Sequence, residues 1–202
     1  MELASDTYRT ISKSSDEILF KEKKSKFFGY AFPITSENEV KPIIEDLKKK
    51  HHTANHVCYA WQLGIQNLSY RANDDGEPNN SAGMPIYGQI QSFEVTNIVR
   101  IFGGTKLGVG GLINAYKTGA QMALEASHII EKIVYEDFEL SFEYTDMDKV
   151  MRIIKQNQLQ IISQQMAMNC KIIISVRQTN IDKIKNMFSE FHTIKIKQIK
   201  KD

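Results

Sequence analysis

Arg100-Ile101-Phe102-Gly103-Gly104-Thr105-Lys106-Leu107-Gly108-Val109-Gly110-Gly111-Leu112 is the stretch on which the reading of the fold turns. Five of the eleven glycines fall within these nine positions, 103 to 111. Glycine permits positive φ and lets a backbone come close to a ligand or another strand. The β-branched run Val95 to Phe102 precedes the cluster, and a helical pattern carrying Leu112, Ile113, Tyr116, Ala120, Ala123 and Leu124 follows it to about Ile130. Strand, glycine loop and helix N-terminus form a geometry in which free N–H groups and the helix dipole receive an anion. The spacing is neither a Walker loop nor the dinucleotide fingerprint, because Lys106 precedes the second glycine group and no Gly-Lys-Ser/Thr follows. A close crossover of helix on sheet explains the same glycines without any ligand.

Upstream, Asn73 to Gly83 is rich in turn residues, with Asn73-Asp74-Asp75-Gly76 tolerating left-handed backbone and Pro78 stiffening the exit. Asp74, Asp75 and Glu77 invite comparison with a hard-cation site, yet the loop lacks the length and closing glutamate of an EF-hand. The strand pattern of His56 to Leu63 puts His56, Cys58 and Ala60 on one face and Val57, Tyr59 and Trp61 on the other. A histidine and a cysteine two apart suggest a nucleophile with its base, but nothing adjacent in sequence orients the imidazole.

The rest of the chain reads as alternating elements. Tyr8 to Lys13 and Glu17 to Phe20 suggest a first hairpin. A lysine-rich turn (Lys21, Lys23, Lys24, Lys26) leads to a strand from Phe27 to Phe32 that ends at Pro33. Ser36-Glu37-Asn38-Glu39 has the spacing of a capping box before Val40, Ile43, Ile44 and Leu47. Pro42 conflicts with that helix unless it lies in the first turn. Pro85 or Ile86 opens the next helix or extended segment, to about Phe93. Beyond Tyr135 the pattern is βαββαβ: strands Phe138 to Tyr144, Leu159 to Met166, Cys170 to Val176 and Thr193 to Ile199, with helices capped by Asp146 and Asn180. Lys195 and Lys197 fall on one face of the last strand, with Lys200 just beyond them, as lysines that deter edge pairing or as contacts to nucleic acid.

The 202 residues, with 42% hydrophobic and 25% charged, describe an ordinary globular chain of one large or two small domains. Cys58 and Cys170 form no metal or disulfide framework. Residues 1–136 carry a net charge of −1 and residues 137–202 one of +3, compatible with nucleic acid without arguing for it. The sequence shows no charged leader and no apolar run long enough to span a bilayer, so a cytoplasmic protein without membrane contact is expected.

Several of these stretches resemble the YigZ/IMPACT family: Val99 to Gly108, Asp75-Gly76-Glu77-Pro78-Asn79-Asn80-Ser81-Ala82-Gly83-Met84-Pro85, Ser25-Lys26-Phe27, and Ala54 to Trp61. They cover the first two-thirds of the chain in the family's order. Ile101 replaces the aromatic usual after the arginine, and Asn79-Asn80-Ser81 stands where members more often have Ser-Gly-Thr. The resemblance implies an α+β chain of two domains. Residues 1–135 would form an N-terminal domain similar to a small-subunit ribosomal protein domain and the GHMP kinases, with a left-handed βαβ crossover. Residues 136–202 would form a ferredoxin-like domain resembling one in elongation factor G. Eukaryotic relatives regulate translation by binding a translational activator of the starvation-sensing kinase.

The expected function is therefore a non-catalytic binding protein linked to translation regulation, meeting RNA, the ribosome, a phosphate-bearing ligand or a translation-related protein, with no cofactor. Its expected site comprises His56, Asp74, Asp75, Gly76, Glu77, Ser81, Gly83, Arg100, Gly103, Gly104, Lys106, Gly108, Gly110 and Gly111. Arg100 and Lys106 would supply positive charge, and the glycine amides would hold an anion. The alternative is a small hydrolase or phosphotransferase using His56 or the Asp74/Asp75/Glu77 loop.

Overall fold

The computed structural model describes residues 6–22, 25–104 and 109–199. The chain divides into two compact units, Tyr8–Lys132 and a second made of the stretch from Ile133 onward together with the residues up to Thr7.

In the first unit a five-stranded sheet runs in the order β2 (Ile18–Glu22), β3 (Ser25–Pro33), β6 (Ile98–Gly104), β4 (His56–Leu63), β5 (Ser69–Asn73). Every adjacent pair is antiparallel, so β3 and β4 are parallel to one another with β6 between them. Helix α1 (Val40–Lys50) carries the chain from β3 to β4. Strand alternation divides the sheet into two cores. Tyr30, Val57, Trp61, Val99 and Ile101 pack with Val40 and Leu47 of α1. Phe27, Ala31, Cys58, Ala60, Ile98 and Phe102 pack with Ile86 and Ile90 of α2 (Gly83–Ser92) and Leu112, Tyr116 and Ala120 of α3 (Val109–Glu125). Each fully buried aromatic of this kind contributes about 1.5–3 kcal/mol.

Local chemistry explains the element boundaries. Ser36 and Glu39 form the expected capping box, on a short 3-10 turn that leads into α1 at Val40, so Pro42 sits in the first turn where its missing N–H costs nothing. The helix after the glycine cluster stops at Glu125, earlier than the apolar spacing suggested. There the Ser127 hydroxyl donates to the Ala123 carbonyl, and Ile129 and Ile130 enter β7 (Ile129–Ile133). Asn97 takes a φ of +57°, which separates Val95 and Thr96 from β6 and delays that strand to Ile98. The first hairpin expected from the N-terminus does not form. Strand β1 (Thr7–Ile11) pairs with β7 in a separate two-stranded sheet, while β2 pairs with β3 across the lysine-rich turn.

The second unit has the ferredoxin-like βαββαβ order. Strands β8 (Tyr135–Glu143), β9 (Gln160–Gln165), β10 (Asn169–Arg177) and β11 (Lys195–Ile199) lie as β11-β8-β10-β9, all antiparallel. Helices α4 (Met147–Gln156) and α5 (Ile181–Ser189) cover one face, with Val150, Ile154, Ile184 and Phe188 packed on Phe138, Leu140, Ile172 and Ile174. Asp146 and Asn180 stand at the N-cap positions of these helices, but neither side chain caps a backbone N–H. Asp146 instead accepts from Lys149 at 2.7 Å. Asp6 belongs to this unit: its carboxylate accepts from Arg177 and from the Thr179 hydroxyl.

Candidate functional site

Strand β4, the Asn73-to-Gly83 loop and α3 converge where the acidic residues lie. Asp74 does not face solvent chemistry. Its Oδ1 accepts from the N–H groups of Ala82 (3.0 Å) and Gly83 (2.8 Å), and Oδ2 accepts from Asn80 N–H at 2.9 Å. It thus caps α2 from eight residues upstream, with a carboxylate placed where the helix dipole favours it. Asp75 accepts from Val57 N–H at 2.7 Å and pairs with Lys48 of α1 at 3.2 Å. Its backbone is left-handed at φ +43°, and Gly76 follows at φ +91°. A Cβ on Gly76 would lie 3.2 Å from the His56 ring, so glycine is what lets the loop close over the imidazole. His56 Nδ1 donates to the Asp75 carbonyl at 2.6 Å.

Glu77 accepts from the Tyr116 hydroxyl on α3 at 3.0 Å. Behind that bond the Cys58 thiol donates to the Asp74 carbonyl at 3.0 Å and lies 3.4 Å from the Tyr116 oxygen. Burial pushes the thiol up to about 12 and raises the Tyr116 phenol well above its usual range, so both keep their protons at neutral pH. The geometry does not assemble a Cys58–His56 dyad: the imidazole bonds the Asp75 carbonyl and the thiol donates to the Asp74 carbonyl. Ser81 is buried, its hydroxyl donating to the Pro78 carbonyl at 2.6 Å, and Gly83 opens α2 against the Asn73 backbone.

The glycine stretch divides into parts with different surroundings. Gly103 and Gly104 end β6 inside the sheet, Gly103 opposite Phe28 and Val57 and Gly104 opposite His56. Gly110 and Gly111 lie in the first turn of α3, where Gly110 is exposed and a Cβ would meet nothing within 4 Å. Lys106 and Gly108 lie outside the described residues.

Arg100 departs most from expectation. The sequence presents it as a cation for a ligand, yet its register opposite Ala31 and Ala60 turns it into the core beneath α3, and its exposure is 0%. One terminal nitrogen donates to the Ala120 carbonyl, while Nε and Nη1 have no partner among the described residues. The guanidinium lies over the Phe102 ring, 5.7 Å from its centroid. Burial lowers its pKa to about 9. The small Ala31 and Ala60 leave it room, so its charge is a property of the core and not of a surface site.

On the opposite face of the sheet lies a groove of about 390 Å³ between α1 and strands β4 and β5. Tyr59 and Trp61 form its floor, and Lys41, Lys48, Arg71, Glu37, Glu45 and Asp75 its rim. The alternation of β4 already put Tyr59 and Trp61 on one face, but nothing local indicated that α1 stands off from them. A cluster of Glu17, Tyr30, Lys50 and His51 has no signature in the sequence, because its members lie in β3, at the end of α1 and just before β2. Lys50 pairs with Glu17 at 2.9 Å, and the Tyr30 hydroxyl contacts both Glu17 and His51.

Residues 23–124 match the family model of the Impact N-terminal domain, a span that runs from just before β3 to the end of α3. The chain belongs to the IMPACT family. It is 29% identical over 191 residues to the IMPACT family member YvyE of Bacillus subtilis, covering 93% of this chain and 86% of that protein. It is 31% identical over 147 residues to YigZ of Escherichia coli, covering 70% and 72% respectively. A crystal structure of a hypothetical protein superposes over 98% of this chain and 100% of that one with a TM-score of 0.70 at 22% identity, a likeness of fold. One of the chain's departures from the IMPACT pattern has a structural account. Asn80, which the sequence resemblance sets against glycine, takes a φ of +60°, and asparagine is among the few non-glycine residues that tolerate that region. Among the described residues no helix is long and apolar enough to cross a membrane.

Proposed function

We propose that this IMPACT family member is a non-catalytic cytoplasmic binding protein linked to translation regulation. Its site is the surface formed by His56, the Asp74-to-Gly83 loop and the glycine-rich segment entering α3, and its ligand is RNA or nucleotide phosphate, or a translation-related protein. Family membership supports the translation link, since the eukaryotic relatives implied by the sequence resemblance act there. One observation carries the choice of binding over catalysis: Asp74, Asp75 and Glu77 are each engaged by groups of the chain itself. A hydrolase needs a base free to take a proton, or acids free to hold a cation. Carboxylates spent on Ala82, Gly83, Val57 and Tyr116 build a support instead.

On the helix that carries Tyr116, the first-turn amides lack intrahelical acceptors and lie at the positive end of a 17-residue helix. The test pairs Gly110→Glu with Lys106→Ala. At position 110 a side chain meets open space, so the carboxylate repels an incoming phosphate without disturbing the packing. Affinity for single-stranded RNA and for a nucleoside triphosphate, read by fluorescence anisotropy at fixed salt, is expected to fall at least about ten-fold in the double variant. Unchanged affinity for both ligands would remove the phosphate reading and leave the translation-related protein as the ligand.

A further inference from the structure

Strand β5 is the outer edge of the five-stranded sheet, next to β4 alone. An edge strand presents a row of backbone N–H and C=O groups that can template another strand, and folded proteins guard such edges with lysines, prolines, bulges or very short strands. The other three edges of the two larger sheets are guarded. Strand β2 carries Lys21 and Glu22, and β11 carries Lys195 and Lys197. Strand β9 is bulged against β10. Strand β5, Ser69-Tyr70-Arg71-Ala72-Asn73, has neither lysine, proline nor bulge, and Ser69, Tyr70 and Arg71 are exposed. Its one charge is drawn sideways, Arg71 reaching Glu37 at 3.7 Å.

The groove lies directly beside this edge. Arg71 and Asn73 of β5 line it together with Val40 and Ile44 of α1, over the Tyr59 and Trp61 floor. Around its rim cations and anions are already paired: Lys41 with Glu45 at 4.0 Å, Lys48 with Asp75 at 3.2 Å, and Arg71 with Glu37 at 3.7 Å. A rim with as many carboxylates as cations repels a polyanion as much as it attracts one. It suits a polypeptide, whose own charges of both signs can exchange partners with these pairs.

We propose that β5 and the adjoining groove form a docking surface for an extended segment of a protein partner, which adds to the sheet as a sixth strand. Main-chain hydrogen bonds to β5 supply affinity, and the alternation of side chains along the added strand supplies selectivity. Every second residue of the segment drops toward the groove, where an apolar side chain covers Ile44 and Trp61 and flanking charged residues meet the rim pairs. The site is separate from the α3 N-terminus and does not depend on phosphate binding there.

The probe is a short peptide selected from a phage-displayed random library on the full chain, studied with isotope-labelled protein by NMR. Exchange of the β5 amides that point away from β4, alternate residues of Ser69 to Asn73, is expected to slow at least about ten-fold on binding, as it does when open backbone groups become paired. Groove resonances of Tyr59 and Trp61 should shift with it. Arg71→Glu, which sets a like charge beside Glu37, should weaken the peptide at least about five-fold, whereas Gly110→Glu should leave it unchanged. Failure to select any peptide, or selected peptides that leave the β5 amides unprotected, overturns the proposal. So does displacement of the peptide by oligouridylate at the same amides, which would assign the edge to nucleic acid.

Discussion

Arg100 shows how far a side chain's neighbours can change its meaning. A guanidinium with two unpartnered nitrogens among the described residues bears a desolvation cost that an apolar side chain of similar length does not. Arg100→Met should therefore leave stability unchanged or raise it, while Arg100→Ala opens a cavity and costs about 3 kcal/mol; urea unfolding followed by circular dichroism separates the two. Asp74 makes the converse case. Three backbone N–H groups converge on it, so Asp74→Ala should lose about 2 kcal/mol in the same measurement. A loss below about 0.5 kcal/mol would mean that the carboxylate is not the support described here. That the loop was acidic and turn-rich was plain from its residues. That its acids turn to the chain's own amides and to the Tyr116 hydroxyl was not, because Val57 and Tyr116 are distant in sequence.

Helices α2 and α3 each contain a glycine that propensity alone would mark for replacement. The two differ in surroundings. A Cβ on Gly88 meets nothing within 4 Å, whereas one on Gly119 lands 2.6 Å from the Phe102 ring. Gly88→Ala should gain about 0.5–1 kcal/mol by restricting the unfolded chain, and Gly119→Ala should lose about 1–3 kcal/mol because a packed ring must move. Thermal midpoints shifting in opposite directions are the expected result. Helix α3 is legible as an apolar periodicity and the capping box at Ser36 as a spacing, whereas the residues of α2 from Pro85 onward read equally as helix or extended segment. Their ends were less so: Ile129 and Ile130 continue the helical spacing of α3 but are claimed by β7. An apolar pair satisfies either element, and pairing with β1 decides between them.

For the chain taken whole, the Asp6 contacts join positions 171 and 173 residues apart within the second unit. Hydrogen bonds from Arg177 and Thr179 hold the Asp6 carboxyl well below the usual carboxylate range. A depressed folded-state pKa stabilises above the unfolded value of about 3.9, and that stability is lost as acid protonates the group. The acid limb of the second unit's unfolding, below about pH 4, should therefore flatten in Asp6→Asn, and the variant should melt earlier at pH 7. Monitoring the second unit's methyl resonances across a pH series checks both. An unchanged acid limb would show that Asp6 is not part of this unit's folding.

Read alone, the order of residues established much of this protein: an α+β chain, the strand alternation that splits the first sheet into two faces, the capped start of α1, the βαββαβ tail and the IMPACT motifs. These are local properties, set by side-chain periodicity and by caps that act within a few positions. Folding in three dimensions decided the rest: β1 with β7 instead of β2, Arg100 inside the core, the acids turned to the chain's own amides and to the Tyr116 hydroxyl, and an unguarded edge beside a groove. Each of those depends on which distant residue arrives opposite which. A one-dimensional pattern carries the appetite for a partner, and only the closed chain shows which partner meets it.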